Sequence, residues 1–307
     1  AAAQMRPPPP RAARGERTTS RAELARRPRF AEISPEVGVL DEQGFDAALA
    51  ADPDAALSLL VDLGAATDEK LRTAARRLAG QVVLDLSRRG TPTGSGMGRL
   101  RAVPADRGGD LDVEASMDAI LAGRAGRRPL RAEELTARTW ARPQLALCVV
   151  VDRSGSMEGE RLAAAALTAA ACALRAPGAC GVLAFGGDVA VLRPVRADRP
   201  PGEVVDQVLR LRGRGTTALA AALRAAEQQL AAVRADRRVV VLLSDCRWTD
   251  DDPRPVARRL PGLVVLAPAK DGEQAEAFAR DVGARWAALA GPADAPAALQ
   301  RVLADGP

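Results

Sequence analysis

Apolar positions along this chain follow two rhythms, and the change between them falls near residue 140. Over residues 45–89 they recur at helical spacing: Leu57, Leu60, Val61 and Leu63, then Leu71, Leu78, Val82 and Leu86. Thr67, followed by Asp68, Glu69 and Lys70, reads as a helix start with acids in the first turn. Residues 90–109 break the pattern, and their Thr-Pro-Thr-Gly-Ser-Gly-Met-Gly core reads as a linker or mobile loop. A short helix over 112–121 and a basic turn over 124–128 complete a mainly helical N-terminal region, 31–140.

From Gln144 onward the rhythm is different. Residues 145–151 are an unbroken apolar run of strand length, as expected of a parallel strand buried on both faces. Residues 238–243 and 263–266 repeat that pattern. Helical stretches over 162–175, 204–211, 217–233, 273–281 and 295–303 alternate with them. Two short strands, 180–185 and 189–192, are joined by Gly186, Gly187 and Asp188 as a hairpin turn, and 285–289 reads as an edge strand. The alternation predicts an α/β fold over 141–307, a doubly wound, mostly parallel sheet with helices on both faces.

With 307 residues and 47% hydrophobic composition the chain can bury a core without crosslinks. Its four cysteines (Cys148, Cys172, Cys180, Cys246) form no Cys-x-x-Cys pair, which favours a reduced protein. No signal peptide opens the chain and no apolar run reaches membrane-spanning length, so a cytoplasmic location and no membrane partner are expected. The absence of histidine removes the commonest general base and zinc ligand, and with them a Ser-His-Asp triad. The net charge of +5 belongs to one end. Eight arginines against two glutamates in residues 1–30 exceed it, so the remainder is slightly acidic. That stretch reads as a disordered basic tail, with docking to an acidic partner or to nucleic acid as the functional alternative.

Candidate chemistry gathers at the strand ends, where open α/β sheets bind ligands. Asp152, Ser154 and Ser156 follow the first buried strand as Asp-x-Ser-x-Ser, an all-oxygen cradle suited to a hard divalent cation such as Mg²⁺. Asp245 follows the second, and Thr216 lies in Gly-Arg-Gly-Thr-Thr before an alanine-rich helix. Singly, each has a plainer reading as a turn or helix-capping residue. Three neighbours also stay open. Arg153 could meet an incoming carboxylate or face solvent. Trp248 could anchor a partner or pack beneath its own loop. Asp250, Asp251 and Asp252 could take a second cation or open a helix before Pro253.

Together these residues resemble the metal-ion-dependent adhesion site (MIDAS) of von Willebrand factor A (VWA, integrin I-like) domains, with Asp152, Ser154, Ser156, Thr216 and Asp245 as the set. The resemblance implies direct binding of Mg²⁺ (or Mn²⁺ or Ca²⁺) by hydroxyls, acids acting through water, and a partner carboxylate completing the octahedron. Upstream, Asp110-Leu-Asp112, Ser116, Met117 and Arg131-Ala-Glu-Glu-Leu135 are similar to the stretch before the A domain in magnesium chelatase D subunits. They are similar also to A-domain proteins paired with MoxR-type AAA+ ATPases. The sequence shows no Gly-x-x-x-x-Gly-Lys-Ser/Thr loop, so nucleotide hydrolysis is expected in a partner chain. The resemblance therefore implies a non-catalytic adaptor or co-chaperone of such an ATPase. A chelatase-like subunit assisting metal insertion into a cofactor is the alternative.

Overall fold

The computed structural model describes residues 18–88, 99–141, 145–175, 179–196, 201–213 and 215–303. Two compact units divide the chain after Val82.

The first unit is helical. It holds α1 (Arg21–Leu24), α2 (Phe30–Ile33), α3 (Glu42–Ala51), α4 (Pro53–Leu63) and most of α5 (Glu69–Arg88). Ser20, Asp41, Asp52 and Asp68 each accept a backbone N–H from a helix's first turn, satisfying donors that have no partner within the helix. Residues 18–30, which composition places in a disordered tail, are folded. Leu24 and Phe30 are buried, Arg21 lies over the Phe30 ring at 4.9 Å, and Arg27 pairs with Asp62 at 2.8 Å. Two apolar anchors and paired guanidiniums outweigh the arginine count. Residues 1–17 of that tail, and the Gly-rich segment to residue 98, lie outside the described residues.

The second unit opens with β1 (Arg99–Pro104), β2 (Asp110–Leu111), α6 (Val113–Ala125) and β3 (Thr136–Ala141). The three strands form an antiparallel sheet in the order β1-β3-β2. The chain divides into its units after Val82, and residues 31–140 are mainly helical as the spacing predicts, but this small sheet lies at the end of that region and the spacing does not predict it. The reason is that Arg, Thr and Ala interrupt these strands, so no apolar run announces them.

The rest of the unit is β4 (Leu145–Asp152), α7 (Glu160–Arg175), β5 (Cys180–Phe185), β6 (Val189–Arg193), α8 (Pro201–Leu209) and α9 (Leu219–Ala231), followed by β7 (Arg237–Leu243), α10 (Arg254–Ala257), β8 (Leu263–Pro268), α11 (Glu273–Val282), β9 (Arg285–Leu289) and α12 (Ala295–Leu303). The sheet order is β6-β5-β4-β7-β8-β9, parallel throughout except for β6, which pairs antiparallel with β5 at one edge. This is the doubly wound architecture expected from the alternation. Side chains alternate between its faces. Ala146, Cys148 and Val150 of β4 pack with α9, α10 and α11. The alanine-rich α7 lies on the opposite face, where its small buried side chains allow close approach. Among the described residues no helix is long and apolar enough to cross a membrane.

From β4 the chain winds to one side through β5 and β6, then crosses to β7, β8 and β9 on the other. The winding reverses between β4 and β7, and in open α/β sheets the ligand crevice lies at that reversal, beyond the carboxyl ends of the strands.

Candidate functional site

Val151 of β4 pairs with Leu243 of β7, so Asp152 and Ser244 emerge side by side. Ser244 Oγ donates to Asp152 Oδ2 at 2.5 Å, and the Ser154 N–H donates to Oδ1 at 2.8 Å. The Asp152 side chain is buried and held at both oxygens. Burial pushes its carboxyl above the ordinary value and the charge of Asp245 adds to that, against the hydrogen bonds from Ser244 and Ser154. One short 3₁₀ turn, Gly155–Met157, then places Ser156 Oγ 3.1 Å from Ser154 Oγ.

Asp245 sits at the end of β7 and is also buried. Its Oδ1 accepts the Arg247 N–H at 3.2 Å, but its Oδ2 has no hydrogen-bond partner. Between them Cys246 turns the chain with φ 57°, a left-handed conformation unusual for a residue other than glycine, and its N–H donates to Ser244 Oγ at 2.9 Å.

The third loop, before α9, is tied to both others. The Gly155 N–H donates to the Gly215 carbonyl at 3.4 Å, where Gly215 takes φ 81°. Thr217 donates its N–H to Thr249 Oγ1 at 2.9 Å and accepts the Thr249 N–H at 3.0 Å. Thr216 is exposed. Its hydroxyl lies so near the β5–β6 turn that a Cβ on Gly187 would stand 2.8 Å from Oγ1. Bonds between loops thus run from Asp152 to Ser244, from Gly155 to Gly215 and from Thr217 to Thr249, closing a ring around the crevice.

The structure brings Asp152, Ser154, Ser156, Thr216 and Asp245 onto these three loops. Arg153 is turned to Asp188 in the hairpin turn, forming an ion pair that leaves 14% of its side chain exposed. Trp248 is half-buried, its ring tilted against Phe278 at 5.8 Å and under the Arg254 guanidinium at 5.4 Å. Asp251 pairs with Arg224, and Asp252 accepts the Arg254 N–H at the start of α10. Sequence reasoning missed Ser244, Thr249, Gly187 and Arg247. Only Ser244 carried a signal, as the residue preceding a strand-end acid.

A buried carboxylate oxygen without a donor is costly, and a second buried acid beside it adds repulsion. A divalent cation offsets both. The donors are carboxylates and hydroxyls, the oxygen ligands that hard cations take. The residues fit a hard cation such as Mg²⁺ or Mn²⁺.

The sequence model of a family described as VWA domain containing CoxE-like protein matches residues 86–294. The chain belongs to this family. The match runs from the end of α5 to the last turn before α12, so the VWA family region takes in the three-stranded sheet as well as the six-stranded one. Among curated proteins no match was found. Similar solved structures include an aerotolerance-related membrane protein from Bacteroides fragilis, at 16% identity over 52% of this chain and 98% of that one, TM-score 0.42. A manganese-loaded TRAP protein from Plasmodium vivax is similar at 20% identity over 52% and 74%, TM-score 0.44. A von Willebrand factor type A protein from Catenulispora acidiphila is similar at 17% over 55% and 44%, TM-score 0.42.

Proposed function

We propose that this VWA protein is a non-catalytic, metal-dependent binding module that takes a carboxylate of a partner protein at a site of the MIDAS kind. Asp152, Ser154, Ser156, Thr216 and Asp245 would hold the cation. The observation that carries this reading is the buried Asp245 Oδ2, which has no hydrogen-bond partner, on an acid whose charge acts on the buried Asp152. The cation supplies an electrophilic centre for an outside carboxylate. The protein's own part is positional: Ser244 and the Ser154 N–H fix Asp152, and the bonds between loops keep the hydroxyl donors on one crevice. In this reading the partner is a separate MoxR-type AAA+ ATPase, and the chain acts as its adaptor or co-chaperone. Membrane and nucleic acid have no part in it.

The test is in two steps. Mn²⁺ titration followed by electron paramagnetic resonance should show binding that Asp245→Ala and Asp152→Ala abolish. Capture of a MoxR-type AAA+ ATPase should then be lost in EDTA and in Asp152→Ala. Capture indifferent to both would remove the cation from the binding step. A reconstituted chelatase assay that depends on this chain would move the reading to metal insertion.

A further inference from the structure

Several arginines stand around the crevice, and their partners differ in kind. Arg153 is paired with Asp188. Arg161 donates to the Ser156 carbonyl at 3.2 Å and pairs with Asp271. Arg247 has a different partner. Its ion pair among the described residues is with Asp245, one of the acids assigned to the cation. Arg247 Nε lies 3.9 Å from Asp245 Oδ2, the oxygen that accepts no hydrogen bond. That is too long for a hydrogen bond and close enough for charge attraction.

The turn explains why the guanidinium is there. Cys246 is buried in its left-handed conformation, tied through its N–H to Ser244 Oγ, and the Arg247 N–H is tied to Asp245 Oδ1. The backbone is thereby fixed, and the side chain, 48% exposed, departs beside the acid with room to swing outward. A guanidinium and a divalent cation cannot both sit against one carboxylate oxygen without strong repulsion.

Resting on the cation-binding reading above, we propose that Arg247 is a resident counter-cation that sets the affinity of this site. It compensates Asp245 in the cation-free protein, competes for Asp245 Oδ2, and is displaced outward on loading. Without an added cation, Arg247 is the positive charge that keeps the buried acid pair tolerable. With one bound, Arg247 becomes an uncommitted guanidinium at the rim of the crevice.

The experiment uses the full chain and Mn²⁺ alone as probe, in wild type, Arg247→Ala, Arg247→Lys and Asp245→Ala. Binding is read by electron paramagnetic resonance, and melting temperature is read in EDTA and in saturating Mn²⁺. Arg247→Ala should bind Mn²⁺ about two- to fivefold more tightly, the range of a partly exposed charge pair. Arg247→Lys should stay near wild type. Arg247→Ala should also melt below wild type in EDTA and recover in Mn²⁺, whereas a merely structural role would lower both. Mn²⁺ affinity in Arg247→Ala equal to or weaker than wild type overturns the proposal while leaving the cation site intact. Equal, negligible uptake by wild type and Asp245→Ala overturns the cation reading itself, which is a different result.

Discussion

Asp245 Oδ2 and Thr216 Oγ1 stand for two kinds of residue in this site. One is an acid whose need is visible in the missing donor; the other is a hydroxyl whose position depends on a neighbour having no side chain. Gly187→Ala tests the second. Its Cβ would reach 2.8 Å from Oγ1, and the short Thr216 side chain relieves that contact by rotating. Mn²⁺ affinity should fall about tenfold, the loss of roughly one ligand's share, while the melting temperature in EDTA stays near wild type. A variant that keeps wild-type affinity would take Thr216 out of the ligand set. At this scale the motif residues were legible because strand ends and spacing place them. The aim of Arg153, Trp248 and Arg247 was not, because side-chain direction depends on partners far away in the chain: Asp188, Phe278 and the oxygen of Asp245.

Among the elements, a buried hydroxyl helps join α6 to β3. Ser116 Oγ accepts the Thr136 N–H at 2.9 Å and donates to the Thr136 carbonyl at 3.2 Å. At the start of α6, Asp112 accepts the Ala115 N–H and pairs with Arg138 of β3, which together hold its carboxyl below the usual value. Ser116→Ala should cost about 1–3 kcal/mol in urea denaturation, since it strands the Thr136 amide. Hydrogen exchange at that amide should quicken, and unchanged protection would mean water replaces the hydroxyl. The strands of the six-stranded sheet were legible because burial on both faces demands continuous apolar runs. β1 and β3 were not, because a small sheet with exposed Leu100 and Trp140 needs no such run. The fold of residues 18–30 was hidden for the opposite reason: arginines dominate the composition, while two apolar residues do the anchoring.

For the whole molecule, the four cysteines report on integrity. All are buried thiols. Burial pushes Cys180 up to about 12, and Cys148 and Cys246 are raised as well. At pH 8 the folded protein should therefore not react with a thiol-specific disulfide reagent, and denaturant should release all four. Prompt reaction of one thiol in the native protein would mean local opening around it, and Cys246 would place that opening at the site.

The sequence by itself determined the alternation of buried strands and helices, and the spacing that sets acids and hydroxyls at strand ends. Both are local consequences of periodicity and burial, written within a few residues of each other. Only the tertiary structure decided that β4 and β7 are neighbours at the reversal of winding, which makes Asp152 and Ser244 partners across 92 positions. It also decided that Asp245 keeps one oxygen unbonded with Arg247 beside it. These depend on strand order and on which donors arrive from elsewhere, and no local pattern encodes them.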